Sequence, residues 1–207
     1  MIDQLLQLVA PVRCVACGVR ARLFCDGHVE SGAAIPFQLA GLNGYCVTPL
    51  SQEIHAAISA FKDKAVTALA RDLARICSPL IETTTWSKAE LIVYPPSTPK
   101  AFRKRGFSPN GMILGRIKSN VPALPLRLVR RISDQRGLGA DRRIQNLHGA
   151  YLAPNLAGKN VMLFDDVATT GATLSEMHRA VEATGARVTG FCVLARSLSG
   201  FEAQAPK

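Results

Sequence analysis

The sequence predicts an α/β fold in which a parallel, doubly wound sheet is joined to a small N-terminal Cys/His unit. Two short, continuous apolar runs, 91–94 and 161–164, have the length expected of strands buried on both faces. A third segment, 186–195, is rich in β-branched residues and predicts a last strand. Segments with helical periodicity separate these runs, and strands that alternate with helices usually form a parallel sheet.

The longest helical pattern covers 52–77, where apolar residues recur three or four positions apart. The charged triplet 62–64 interrupts this pattern and divides it into two helices. Pro79 is expected to end the second helix, because proline has no backbone N–H and its ring clashes with the preceding turn.

Two further helices are predicted from their ends. Ser108 or Asn110 can cap a helix that extends to about residue 118. The last helix covers 172–183, and Gly185 ends it, since glycine readily adopts the left-handed conformation that follows a helix.

The remaining segments are predicted from their glycine and proline content and from their polarity. The segment 31–50 contains several glycines and prolines and is predicted to be a loop with room for one short strand. The segment 124–132 is predicted to be a strand, and the polar, basic segment 133–146 a mobile loop. The chain is predicted to divide into three parts. Residues 1–50 form an N-terminal Cys/His and hood unit, 51–200 an α/β domain and 201–207 a frayed tail.

The segment 160–173 combines an acidic pair with a loop of suitable size for a phosphate group. Its apolar run ends in Asp165 and Asp166, and a loop of threonine, glycine and alanine precedes the next helix. Hydroxyls and backbone N–H groups at a helix N-terminus favour a bound anion. Carboxylates at a strand end can accept hydrogen bonds from sugar hydroxyls or hold a hydrated Mg²⁺. The segment predicts a site for ribose and phosphate; the alternative is a buried strand with a solvated acidic turn.

The positive charge of the chain is concentrated in one block. The formal net charge is +10, and the segment 100–143 holds twelve basic side chains against two acidic ones, which accounts for the whole excess. Concentrated positive charge attracts polyanions, such as a sugar diphosphate or single-stranded nucleic acid. The alternative is a basic face that only contacts solvent.

Four residues near the N-terminus have the spacing of a structural metal site. Cys14 and Cys17 form one pair and Cys25 and His28 a second, as a tetrahedral Zn²⁺ site requires. The alternative is a set of reduced cysteines beside an ordinary histidine. The other cysteines lie in apolar surroundings and are expected to be small buried hydrophobic residues: Cys46, Cys77 and Cys192.

The N-terminus does not have the pattern of a secretory signal, because Asp3 stands where a basic region is expected. A disulfide framework is therefore not expected. No stretch approaches the roughly 18 apolar residues of a membrane helix. A cytoplasmic protein without membrane insertion is predicted.

The acidic segment resembles the 5-phosphoribosyl-1-pyrophosphate (PRPP) signature of type I phosphoribosyltransferases: an apolar strand, two acidic residues, a hydrophobic residue and a Thr/Gly loop. The resemblance implies the doubly wound sheet of that family and an enzyme that uses Mg²⁺ with PRPP. It implies transfer of a phosphoribosyl group to or from an acceptor that is unknown here. Asp165 and Asp166 would take the ribose hydroxyls, and the 5′-phosphate would lie on Ala168, Thr169, Thr170, Gly171, Ala172 and Thr173.

Two other segments stand where this family has further elements. A pyrophosphate loop follows an early strand in type I enzymes, and 94–100 has that position here, with four cations beside it: Lys100, Arg103, Lys104 and Arg105. A catalytic flexible loop precedes the signature strand, and here 134–151, which contains the catalytic candidate Arg143, has that position. Such a basic lid would close over PRPP and exclude water. The alternatives are solvated charges and a plain surface connection.

The whole chain more narrowly resembles the ComF family of phosphoribosyltransferase-like competence proteins. The resemblance rests on the cysteine knuckle, Phe61-Lys62, Arg105-Gly106-Phe107 and the block 135–150. It implies a link to DNA uptake or to the handling of single strands. The chain departs from the family pattern at Tyr94-Pro95-Pro96, Ser108-Pro109, a missing second cysteine pair and His28 in place of a cysteine.

Two other functions stay open at this point. The chain could bind PRPP without catalysis, or it could be an accessory protein that binds single-stranded DNA through its basic block. The block holds only two aromatic residues, Phe102 and Phe107, and dedicated single-strand binders usually combine cations with stacking aromatics. The sequence does not decide between a monomer and a homodimer.

Overall fold

The computed structural model of the chain describes residues 13–20, 22–28, 34–39, 41–82, 88–132 and 140–197. The predicted tail, 201–207, and the first part of the predicted mobile loop, 133–139, lie outside the described residues. The division of the chain at residue 50 stays a prediction.

Six strands form the main sheet in the order β1-β2-β8-β7-β3-β4, and a second sheet pairs β5 with β6. Only β1 runs antiparallel to its neighbour in the main sheet, and the other neighbours are parallel. The predicted α/β class with a mostly parallel sheet is confirmed. The strands are β1 Ile35–Leu39, β2 Leu42–Pro49, β3 Leu91–Tyr94, β4 Ala123–Pro125, β5 Arg127–Leu128, β6 Tyr151–Leu152, β7 Asn160–Ala168 and β8 Arg187–Arg196.

Helices cover both faces of this sheet. They are α1 Gln52–Asp63, α2 Leu69–Glu82, α3 Pro99–Arg105, α4 Pro109–Leu114, α5 Ala140–Leu147 and α6 Ala172–Glu182. One hydrophobic cluster lies beneath α1, α2 and α4 and includes Phe61 and Phe164. The other lies beneath α6 on the opposite face and includes Leu163, Met177 and Phe191. The core is therefore divided by the sheet, as its double winding requires.

Three helix predictions differ from the structure. The interruption after the charged triplet is confirmed, but Pro79 lies inside α2 and does not end it. The missing proline N–H removes only one bond of the last turn, and Leu80 and Ile81 beyond it are buried in the core. The helix after Ser108 is shorter than predicted and ends at Leu114. The segment predicted as a mobile loop contains α5.

Two strand predictions also differ. The segment 31–50 contains a β-hairpin, in which β1 pairs with β2 and β2 joins β8. Its glycines indicated a loop, but Gly44 lies within β2. Glycine is required there because a Cβ atom would clash with the Phe191 ring. The predicted strand 124–132 is divided into β4 and β5, with the buried Leu126 between them.

In the part of the chain that the structure describes, no helix has both the length and the apolar character needed to cross a membrane.

Gly44→Ala is expected to destabilise the protein by roughly 1–3 kcal/mol, because the new Cβ would lie 2.5 Å from the Phe191 ring. Urea unfolding monitored by circular dichroism measures this change. Gly27→Ala is the matched control, since its Cβ would meet nothing within 4 Å. Equal free energies of unfolding for the two variants would contradict this close approach of β2 to β8.

Candidate active site

The acidic pair lies where two neighbouring strands of the sheet diverge. The pairing of β3 with β7 ends at Val93 and Leu163, whereas β7 continues alongside β8 to Ala168. From β3 the chain proceeds outward to β4, and from β7 it proceeds in the opposite direction to β8. This is a topological switch point, where open α/β sheets usually bind ligands outside the carboxyl ends of their strands.

Asp165 and Asp166 lie within β7 and not after it, and they are only 7% and 5% exposed. The prediction that the strand ends at these carboxylates is therefore wrong by three residues. The strand continues because Val167 and Ala168 keep their pairing with β8. The two carboxylates have different partners, Asn110 for Asp165 and Lys62 for Asp166.

Asp165 is held by donors from two directions. Asn110 of α4 donates its side-chain N–H to Asp165 Oδ1 at 3.0 Å, and the backbone N–H of Asp166 donates to the same oxygen at 2.9 Å. Burial, followed by the charge of Asp166, raises the pKa of Asp165 to about 7 despite these donors and Lys62. The sequence predicted Asn110 only as a candidate helix cap, and its contact with the acidic pair was not predicted.

Asp166 forms an ion pair with Lys62 at the end of α1, with Nζ 2.6 Å from Asp166 Oδ2. Burial alone would lower the pKa of Lys62, but the carboxylates of Asp166 and Asp165 outweigh it and raise that pKa. Arg105 lies beside this pair and reaches Asp63 at 3.9 Å. In the sequence, Lys62 was noted only as part of the Phe61-Lys62 motif, and no role in the site was predicted for it.

The loop after β7 leads directly into α6. Gly171 precedes the helix with a φ of 79°, and a Cβ there would lie 2.8 Å from the Leu39 side chain. No side chain among the described residues caps the start of α6. Ala168 and Ala172 are buried, Thr170 and Thr173 are half-buried, and Thr169 is exposed. The free N–H groups of this helix start and the nearby hydroxyls can therefore receive a phosphate.

Arg143 of α5 extends over this loop and donates from Nη1 to Thr169 Oγ1 at 3.4 Å. Its Nε is buried and forms no hydrogen bond to the residues that the structure describes. The structure thus brings the catalytic candidate Arg143 to the predicted phosphate loop, 168–173. An additional acceptor, such as a phosphate oxygen, could satisfy the free donor.

A buried glutamate and an arginine hold α5 and the chain that follows it. Glu176 of α6 accepts hydrogen bonds from the N–H groups of Gly149 and Tyr151 at 3.0 and 2.9 Å, and from Arg179. Arg130 donates to the carbonyl oxygens of Asn146 and His148 at 2.9 and 2.6 Å, at the C-terminal end of α5. Neither residue was predicted, since a glutamate on a helix and an arginine in a basic block usually contact solvent.

The four cations predicted for the pyrophosphate lie on α3. Thr98 caps this helix by accepting from the N–H of Ala101 at 3.2 Å, and Gly106 ends it with a φ of 79°. Arg105 is half-buried and faces Asp63, whereas the other three are exposed: Lys100, Arg103 and Lys104. Of these four cations, Arg105 is the one with a contact next to the Lys62–Asp166 ion pair, through Asp63.

The predicted metal ligands Cys14, Cys17, Cys25 and His28 converge, and their ligand atoms all lie within 4.8 Å of one another. Cys14 Sγ is 3.3 Å from His28 Nε2, and Cys17 Sγ is 4.0 Å from Cys25 Sγ. These distances bracket the edge of about 3.7 Å of a tetrahedron with metal–sulfur bonds of about 2.3 Å. The group could therefore hold a tetrahedral metal ion.

The electrostatics of this group also fit a cation. Burial opposes ionisation of Cys14, but backbone N–H donors from Cys17, Ala16 and Cys25 outweigh it and lower the pKa of Cys14 to about 6. Burial, together with the neighbouring thiols, raises the pKa of Cys25 to about 11. A divalent cation would relieve this repulsion between thiolates.

Residues 102–204 match the family described as phosphoribosyl transferase domain. The matched segment covers just under half of the chain and is similar to that domain. It contains the acidic pair, the phosphate loop, Arg143 and most of α3. The match does not distinguish the ComF family from other phosphoribosyltransferases.

The relatives that match include phosphoribosyltransferases for two purine bases. An adenine phosphoribosyltransferase of Mycobacterium marinum is 49% identical over 53 residues, which are 25% of this chain and 29% of the relative. A solved adenine phosphoribosyltransferase of Thermoanaerobacter pseudethanolicus is 17% identical, with a TM-score of 0.39 over 69% of this chain and 73% of that one. A solved hypoxanthine phosphoribosyltransferase of Staphylococcus aureus is 13% identical, with a TM-score of 0.37 over 66% and 70%.

Glu176→Ala is expected to destabilise the protein by roughly 3 kcal/mol, because it leaves the buried N–H of Tyr151 and the part-buried N–H of Gly149 without an acceptor. Glu182→Ala on the same helix, which removes an exposed contact to His178, should cost less than about 1 kcal/mol. Urea unfolding of both variants measures the difference, and similar costs would contradict the anchoring role of Glu176.

The stabilisation by Glu176 is also expected to depend on pH. Burial opposes ionisation, but Arg179 and the two N–H groups outweigh it and lower the pKa of Glu176 below its ordinary value of 4.5. The contribution of Glu176 is therefore complete above that value and is lost as the pH falls through the lower, folded-state pKa. The stability gap between wild type and Glu176→Ala should shrink in acid; a gap that widens in acid would contradict the assigned contacts.

Proposed function

We propose that the protein is a Mg²⁺-dependent phosphoribosyltransferase that binds PRPP and transfers its phosphoribosyl group to or from an acceptor. The observation that carries this proposal is the continuous arrangement of the buried acidic pair, the Gly171 loop and the uncapped start of α6. This arrangement lies inside the segment that matches the phosphoribosyl transferase domain.

The acidic pair and the loop have complementary roles in this proposal. Asp165 and Asp166 accept hydrogen bonds from the ribose hydroxyls, since their carboxylates keep further acceptor capacity beside their present partners. The loop binds the 5′-phosphate at the start of α6, where backbone N–H groups and the helix dipole favour an anion.

The reaction exchanges one bond at C1 for another. The C1–O bond to the diphosphate breaks with its electron pair on the leaving oxygen, and a lone pair of the acceptor forms the new bond to C1. Negative charge grows on the diphosphate, so cations fixed beforehand in the site stabilise the transition state. Arg143 and the α3 cations are the candidates for this role: Lys100, Arg103, Lys104 and Arg105.

The acidic pair also fits a metal-bound ligand. Asp166 Oδ2 is buried and is contacted by Lys62 Nζ at 2.6 Å, and a carboxylate oxygen can accept a second hydrogen bond beside this one. Either a ribose hydroxyl or a water of a hydrated Mg²⁺ could donate to it. When bound, Mg²⁺ would neutralise charge on the diphosphate.

The N-terminal group of three cysteines and a histidine is proposed to hold a structural Zn²⁺. Its ligand distances and its crowded thiolates fit a tetrahedral cation, and Cys14 is buried in the same core as α1 and α2. A zinc ion would tie this unit to the α/β domain. A cytoplasmic location, where thiols stay reduced, belongs to the same proposal.

One observation favours a second, nucleic-acid-related function of the ComF type. Phe102 is 48% exposed on α3, between Lys100 and the pair Arg103 and Lys104. An exposed aromatic ring beside cations is the combination that binds single-stranded DNA. We therefore propose single-stranded DNA, and through it a link to DNA uptake, as the alternative if no acceptor base is found.

Replacing both acidic residues, Asp165→Asn with Asp166→Asn, is expected to lower PRPP affinity by roughly 100-fold, because two charge-assisted hydrogen bonds to the ribose are weakened. Calorimetric titration with PRPP and Mg²⁺ measures the affinity, and release of pyrophosphate in the presence of purine and pyrimidine bases measures turnover. Glu90→Gln, which alters a carboxylate at the opposite end of β7, is the control and should bind normally. Unchanged affinity in the double variant, with a normal melting curve, would contradict the proposed site.

The purified protein is expected to contain about one zinc ion per chain, and Cys14→Ser or Cys25→Ser should remove it. Atomic absorption measures the metal, and thermal melting measures its contribution to stability. Cys77→Ser, which changes a buried cysteine outside the group, should keep the metal. A metal-free wild type whose melting temperature does not respond to added zinc would contradict the metal site.

A further inference from the structure

Lys62 differs from an ordinary lysine at the end of a helix. A cation in the last turn of a helix is favoured by the helix dipole and usually extends into solvent. The Lys62 side chain is only 28% exposed, and its Nζ lies 2.6 Å from Asp166 Oδ2. Lys64, two residues later, is exposed. Lys62 is therefore directed toward the acidic pair by the fold.

The neighbours of Lys62 hold it in this position. Phe61 is fully buried and packs against Phe107, with ring centroids 5.2 Å apart, so the end of α1 is attached to the segment between α3 and α4. Asp63, on the other side, pairs with Arg105 of α3. Three consecutive residues of α1 thus connect this helix to the elements that border the acidic pair.

Lys62 also changes the charge that an approaching ligand meets. Asp165 and Asp166 lie side by side in a buried strand, and a phosphoribosyl ligand with its phosphates is itself strongly anionic. Bringing that ligand to two uncompensated carboxylates would be opposed by repulsion, which is strong where water is excluded. The lysine charge at 2.6 Å offsets one of the carboxylates before any ligand or metal arrives.

We propose that Lys62 is a positioning residue of the binding site: it fixes Asp166 and neutralises part of the acidic pair, so that an anionic phosphoribosyl ligand can bind with less help from Mg²⁺. This inference rests on the proposed function, because it assigns the charge balance of the same pocket. Lys62 and Mg²⁺ then serve partly overlapping electrostatic roles. Removing the lysine charge makes the site more dependent on the metal.

The test compares the charge-removing variant Lys62→Gln with the charge-keeping variant Lys62→Arg. Glutamine can still donate a hydrogen bond to Asp166, so this variant mainly removes the charge. Lys64→Gln, which changes the exposed residue that directly follows α1, is the matched control. Calorimetric titrations with PRPP and with ribose-5-phosphate, each with and without MgCl₂, measure the affinities, and circular dichroism melting confirms that each variant is folded.

Lys62→Gln is expected to lower PRPP affinity at least about 10-fold without Mg²⁺ but less than about 3-fold with saturating Mg²⁺. Lys62→Arg should stay within about 3-fold of wild type in both conditions, and Lys64→Gln should be unchanged. A lysine with only a structural role would give the same loss with and without Mg²⁺. Equal losses, or no loss at all, would overturn the inference while the proposed function stands.

Two further outcomes are informative. A wild type that binds neither ligand would overturn the proposed function and this inference with it. If Lys62→Gln does not fold, acylation of lysines in the wild type replaces it: PRPP without Mg²⁺ should slow acylation of Lys62 and leave Lys64 unaffected. Faster acylation of Lys62 on ligand addition would mean that the ligand displaces the lysine, which contradicts the proposal.

Discussion

Two adjacent carboxylates in a buried strand are costly, and much of the structure around β7 compensates for them. A buried charge destabilises a fold by several kcal/mol unless it is paired, hydrogen-bonded or neutralised. Asp165 receives Asn110 from α4, and Asp166 receives Lys62 from α1. Burial and the charge of Asp166 nevertheless raise the pKa of Asp165. In the proposed function, a ribose hydroxyl or a water of a hydrated metal ion is a further donor to these carboxylates.

The partners of the acidic pair come from elements that the core holds firmly. Lys62 follows the fully buried Phe61, and Asn110 lies in the helix that begins at the buried Pro109. The position of each partner is therefore set by hydrophobic packing and not by the pair itself. This arrangement keeps the two carboxylates in place in the absence of ligand, and such preorganisation is the condition for specific binding.

The sequence was sufficient to place β7, apart from its last three residues, and α6, because an apolar run and a helical repeat are local patterns that neighbouring residues determine. The N-terminal ligands converge as predicted because their spacing is also local. Lys62 and Asn110 were not predicted as partners, since they lie far from the pair along the chain and each is ordinary for its element. α5 was predicted as a loop because most of its residues are polar or basic, so that Ile144 and Leu147 alone did not indicate a helical pattern. Glu176 was missed because only the folded chain brings Gly149 and Tyr151 to it.

The strand with the acidic pair and the loop before α6 are proposed to form the ligand site. Amide hydrogen exchange of the wild type, with and without PRPP and Mg²⁺, tests this proposal, because exchange reports each backbone N–H separately. Slower exchange is expected on ligand addition at 165–173 and at the first turn of α6. Slower exchange confined to other parts of the chain, with none at this loop, would contradict it.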